Sequence, residues 1–229
     1  MQLQTSVNNL LRGNAGINTL AGGGAGNDLL EGGAGADIIA FNRGDGTDTV
    51  APSTTQDNTV SLGGGITYAD LYFQKSGSNL ILKTAGSAST EGLTFANWYT
   101  ATANHSVLNL QVVVQASTDF NAASTDPTRN KKVAEFNFAA LANQFDSALA
   151  ATPALTPWAL TNALASFHLS GSDSGAVGGE LAYQYGLSGN LANVGTLGAQ
   201  NVLGDVQFGS AIQSLQTLPN MQNGIARLS

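Results

Sequence analysis

The stretch Gly23–Ile39, GGAGNDLLEGGAGADII, writes almost the same nine residues twice. Glycine weakens helices and strands alike, so glycine this dense needs a compensating role. Each copy carries one aspartate and, two places on, a branched apolar residue: Asp28 with Leu30, and Asp37 with Ile39. The signature continues in both directions as Asn9/Leu11, Asn18/Leu20, Asp48/Val50 and Asn58/Val60, with successive spacings of 9, 10, 9, 11 and 10 residues. Each row reads as a tight glycine turn and a very short strand with one large inward side chain, because side chains alternate along a strand. One row cannot bury that residue alone. Stacked rows can, and the pattern therefore predicts a solenoid.

The turns also carry chemistry. GGAGND and GGAGAD fit the nonapeptide G-G-x-G-x-D-x-U-x. Glycine's access to positive φ lets Gly23, Gly24, Gly26, Gly32, Gly33 and Gly35 aim several backbone carbonyls at one point, and Asp28 and Asp37 each add a carboxylate. Oxygen-only donors suit Ca²⁺, a hard cation that takes six to eight oxygens, so neighbouring turns on one edge must share an ion. Calcium is the cofactor that these turns predict.

Composition bounds the reading. The 229 residues are 42% apolar, enough for a packed core, but only 10% charged. A net charge of −7 disfavours nucleic acid and anionic membrane as partners. There is no cysteine, so disulfides and thiolate chemistry are excluded and a bound metal is the available staple. No run of 18 apolar residues predicts a membrane span, and MQLQTSVNNLL lacks the basic region of a cleaved signal peptide.

Four segments follow from the change of pattern along the chain: a glycine-repeat region over 1–58, a β-rich capping region over 59–116, a polar linker over 117–132 and a helical region over 133–229. In the second, LYFQK (71–75) and LILK (80–83) flank a turn and predict a hairpin, with GLTFANWY (92–99) and VLNLQVVVQA (107–116) as further strands. In the last, Phe138, Leu141, Phe145 and Leu149 fall at helical spacing. Thr156-Pro157 predicts the start of a second helix, and Phe208, Ile212 and Leu215 a last one.

The chain resembles the RTX (repeat-in-toxin) family of haemolysin-type calcium-binding proteins, specifically the C-terminal region of a large secreted bacterial member. Beside the two nonapeptides, FNRGDGTDTV (41–50) looks like the family's terminal repeat, DNTVSLGGGITYADLYFQKSGSNLIL (57–82) like the related domain that follows it, and WALTNALASFHLSGSD (158–173) like the C-terminal regions of its large members. The resemblance implies a mainly β fold: a short parallel β-roll, capped by an antiparallel region, then an α-helical segment. It implies calcium between turn n and turn n+2, pairing Asn9 with Asp28, Asn18 with Asp37, Asp28 with Asp48, and Asp37 with Asn58. Asp28 and Asp48 form the strongest pair, with backbone oxygens around Gly23–Gly26 and Gly44–Gly46, and Asp45 lies in the same turn. It further implies type I secretion through an uncleaved C-terminal signal, with folding in the calcium-rich medium outside the cell.

Other motifs have plainer explanations. Arg43-Gly44-Asp45 spells an adhesion tripeptide but lies inside a glycine turn. His105 and His168 have no zinc spacing, and His168 is expected on a helix. GSDSG (171–175) has Asp173 where a nucleophilic serine would stand. Asp119, Asp126, Asp146 and Asp173 lack evident partners, and Trp98 and Trp158 read as core residues. The expectation is a non-enzymatic calcium-dependent folding and secretion module. Its rival is a self-associating structural subunit of a surface layer, fibre or biofilm matrix, for which low charge and open strand edges are suited.

Overall fold

A computed structural model describes residues 7–53, 55–155 and 157–189. The glycine-repeat rows form β1 (Leu10–Arg12), β2 (Thr19–Leu20), β3 (Leu29–Glu31), β4 (Ile38–Asn42), β5 (Thr47–Val50) and β6 (Asn58–Gly63). Next come β7 (Tyr72–Ser76), β8 (Asn79–Lys83), β9 (Gly92–Phe95), β10 (Val107–Val112) and β11 (Val133–Asn137). The 14-residue helix α1 (Phe138–Ala151) is followed by β12 (Trp158–Ala159), α2 (Thr161–Leu164), β13 (His168–Ser172) and α3 (Gly179–Ser188).

These strands make two sheets. One has the order β1-β3-β5-β9-β8-β7-β12, and the other β13-β11-β10-β6-β4-β2. Successive repeat strands alternate between them, so β1, β3, β5 and β9 pair in parallel in one sheet, and β2, β4, β6 and β10 in the other. The remaining strands of each sheet pair antiparallel.

This corrects the expected fold class. Over the described residues the chain is a mixed α/β fold of two mostly parallel sheets with 13 strands and few short helices, rather than a short β-roll solenoid with an antiparallel cap and a helical segment. The sequence period ends near Asn58, but the hydrogen bonding does not: β6 lies between β4 and β10, and β5 between β3 and β9. Strands β9 and β10 arrive through long connections and so carry no glycine-turn signature. Beyond residue 133, β11, β12 and β13 also join the sheets. The exposed β13, HLSGS, has none of the apolar alternation that marks a strand.

The gap between the sheets is filled by one inward residue per row, Leu20, Leu30, Ile39, Val50 and Val60, and then by larger groups. Phe138, at the first turn of α1, meets the rings of Phe73 and Phe95 edge-on at 5.3 and 5.1 Å. Asn137 caps that helix by accepting from the Ala140 N–H at 2.9 Å, and Phe138, Leu141 and Phe145 form its buried face. Trp98 is fully buried, while Trp158 is partly buried and stacks on Phe73. The expected second helix shrinks to α2, because Trp158 pairs as a strand with Phe73 on β7. Thr156, its expected cap, and Phe208, Ile212 and Leu215 lie outside the described residues.

Helix α3 closes over the outer face of β4 and β6. Gly63 and Gly186 let the backbones touch, since a Cβ on Gly63 would overlap Gly186, and the Gly64 N–H donates to the Gly186 carbonyl at 2.7 Å. Among the described residues no helix is long and apolar enough to cross a membrane.

Candidate metal centre

The parallel register places turns two rows apart on top of one another and gives the acidic positions a common geometry. In all four stacked pairs, the backbone N–H of the earlier row donates to the side-chain Oδ1 of the later one. Asn9 donates to Asp28 at 2.7 Å, Asn18 to Asp37 at 2.9 Å, Asp28 to Asp48 at 2.9 Å and Asp37 to Asn58 at 2.8 Å. The structure thus brings together each of the four pairs that the resemblance implied. It keeps Asp28 and Asp37 in different stacks.

Each aspartate uses one oxygen in that ladder and leaves the other over. Asp28, Asp37 and Asp48 are buried, at 2%, 0% and 0% exposure, and among the described residues their Oδ2 atoms have no hydrogen-bond partner. A buried anion without a counter-charge is costly, so Asp37 and Asp48 resist ionisation. Burial raises Asp48 to about 7 against the N–H donated by Asp28, and the charges of Asp28 and Asp45 push it the same way. Burial raises Asp37 to about 6, opposed by the Asn18 N–H and helped by Asp57.

The surrounding turns supply oxygen. Gly23, Gly24, Gly33, Gly35, Gly44 and Gly46 all have positive φ, between 67° and 103°. The carbonyl of each turn faces a glycine in the next: a Cβ on Gly33 would stand 2.5 Å from the Asn14 oxygen, and one on Gly35 would stand 2.8 Å from the Gly16 oxygen. On the opposite edge a Cβ on Gly26 would stand 2.6 Å from the Val7 oxygen, and one on Gly46 would overlap the Gly26 oxygen. Gly32 and Gly22 leave room in the same way for the spare oxygens of Asp37 and Asp28. Carbonyl and carboxylate oxygens with no nitrogen or sulfur among them match the donor set of calcium. Among the described residues no three His, Cys, Asp or Glu side chains converge, so a cation here would draw most of its shell from the backbone.

Asp45 has a different task. Its Oδ2 accepts from the Asn42 N–H at 2.7 Å and from the Tyr185 hydroxyl of α3 at 2.8 Å. Burial lifts it to about 6, and burial together with Asp45 lifts Tyr185 well above an ordinary phenol. Asn42 Nδ2 completes the clamp by donating to the Tyr185 carbonyl at 2.8 Å. Asp45 is therefore buried within the Arg43–Asp45 tripeptide, and Arg43 is turned to Asp70 at 2.5 Å. Sequence patterns gave no sign of Tyr185, which lies 140 residues away.

The sequence also missed two hydroxyls. Ser53 Oγ donates to the Gly33 carbonyl and Thr55 Oγ1 to the Gly35 carbonyl, both at 2.8 Å. Both stand 20 residues after the glycine they meet, and that row spacing was the available signal.

The remaining acids, without evident partners in the sequence, have structural contacts. Asp119 and Asp126 pair with Arg129, Asp173 with Lys131, and Asp146 accepts from the Tyr99 hydroxyl. His168 begins strand β13 rather than lying on a helix, edge-on to Phe136. No family model matches the chain, and no curated protein matches it either.

Proposed function

We propose that the chain is a non-catalytic module that binds Ca²⁺ between stacked glycine turns and completes its fold on doing so. The observation that supports this reading is the set of three buried aspartates whose Oδ2 atoms have no partner among the described residues, those of Asp28 and Asp37 lying against Gly22 and Gly32. Asp28 and Asp48, with the turns 23–26 and 44–46, are the principal pair; Asp37 with Asn18 is the second. Calcium supplies the positive charge that these oxygens lack. The chain's own residues fix the positions: Oδ1 stays in the backbone ladder, leaving Oδ2 for the cation. Extracellular calcium modules bind with Kd of roughly 10⁻⁴–10⁻³ M, so a site of this kind fills outside cells and empties inside them. Export by a type I secretion machinery rests on the RTX resemblance alone, and residues 190–229 of the 133–229 region expected to carry its signal lie outside the described residues.

Circular dichroism during a calcium titration tests the reading. A gain of β signal between chelator and millimolar Ca²⁺ is expected; identical spectra at both ends overturn it. The exposed edge strands favour a second reading, self-association: β1 and β13 end their sheets with Leu10 and Leu169 more than half exposed. Size-exclusion chromatography separates the two, because the plain module remains monomeric at millimolar calcium.

A further inference from the structure

On the edge formed by residues 13–17, 32–36, 51–53 and 55–57, two successive gaps between turns differ in what faces the carbonyls. In the first gap, Asn14 O and Gly16 O face Gly33 and Gly35, which offer no side chain. In the second gap the equivalent oxygens, those of Gly33 and Gly35, receive hydrogen bonds from Ser53 and Thr55 at 2.8 Å each. The two hydroxyls are themselves held in place. They lie 3.2 Å from each other, and the Thr55 N–H donates to Ser53 Oγ at 3.2 Å. The carboxylate changes at the same point, since the residue stacked above Asp37 is the neutral Asn58.

We propose that Ser53 and Thr55 occupy with their own hydroxyls the place a cation would take, and so end the series of calcium positions on this edge. Two hydroxyl donors satisfy the two carbonyls as a cation does, and the exchange of Asp for Asn removes the negative charge that a cation would balance. Both changes occur in one turn and are needed together: hydroxyls without the amide would bury another uncompensated carboxylate. The opposite edge shows no such substitution, as Gly46 still faces the Gly26 carbonyl. The proposal rests on the calcium reading above and adds to it which gap excludes the ion.

Counting bound ions by equilibrium dialysis with radioactive Ca²⁺ on the full chain, at saturating calcium, tests it. The triple variant Ser53→Gly/Thr55→Gly/Asn58→Asp restores glycine and carboxylate, and is expected to bind one more ion than the wild type. Ser53→Ala/Thr55→Ala removes both hydroxyls; it is expected to keep the wild-type count while losing thermal stability. Asp28→Asn/Asp48→Asn is the reference, expected to lower the count. A folded triple variant with the wild-type count overturns the proposal while calcium binding stands. So does loss of an ion in the double alanine variant, which makes the hydroxyls ligands; that measurement decides the matter if the triple variant does not fold. A wild type that binds no calcium overturns the underlying reading and this proposal together.

Discussion

At the scale of single residues, the position of one carboxylate oxygen separates a turn that is merely tight from one that invites a metal. Asp48 Oδ1 serves the backbone ladder, while its Oδ2, at zero exposure, has no partner among the described residues. Without metal, replacing Asp48 by Asn keeps the ladder acceptor and removes the buried charge. We expect Asp48→Asn to raise stability in chelator above neutral pH, where it removes a buried carboxylate charge, and to weaken calcium binding; thermal melts with and without calcium check both. The raised Asp48 and Asp37 give a pH dependence whose sign is definite. Between about pH 4 and 7 the folded state holds protons that the unfolded chain has released, so stability in chelator falls as pH rises through that window. Denaturant melts in chelator at pH 5 and pH 7.5 are expected to show the higher midpoint at pH 5. At Gly46, φ is 91° and a Cβ would overlap the Gly26 carbonyl. Gly46→Ala is expected to cost more than about 1–2 kcal/mol, the backbone penalty alone.

At the scale of elements, the glycine rows were legible because their spacing repeats and their apolar position is single. Leu30, Ile39, Val50 and Val60 are all buried where the period put them. The stripe of α1 was equally clear, and Phe138, Leu141 and Phe145 form its buried face. What could not be read was the partner of each later strand. β9 and β10 continue the two parallel stacks although Leu93 lies 45 positions after its neighbour Asp48, and Val107 lies 49 positions after Asn58. β13 is largely exposed, so burial left no alternation in its sequence. The candidate site divides in the same way. Its acid pairs follow from the row length, whereas the clamp of α3 on Asp45 depends on tertiary contact between Tyr185 and Asn42–Asp45. Tyr185→Phe deletes that hydroxyl and is expected to destabilise the chain by about 1–3 kcal/mol, since Asp45 loses a donor in a buried setting. Chemical denaturation measures it, and amide exchange across α3 should quicken.

At the scale of the whole molecule, one core spans both sheets and α1, so the glycine rows and the later strands are held by the same packed interior. Phe138 touches Phe73, Phe95 and Trp98 and ties α1 to strands from the middle of the chain. Phe138→Ala is expected to cost about 3–5 kcal/mol in thermal or denaturant unfolding. Calcium bound in the turns would then act on the whole core, because the rows cannot separate without parting β5 from β9 and β6 from β10. The charge balance points the same way: an excess of acids, a net −7, is eased by each cation taken up. The most direct test is calorimetric titration of Ca²⁺ into the wild type and into Asp28→Asn/Asp48→Asn at equal concentration. The account predicts saturable binding by the wild type in the sub-millimolar to millimolar range and the loss of at least one site in the variant. Absence of binding by the wild type up to several millimolar, or an unchanged isotherm in the variant, would contradict it.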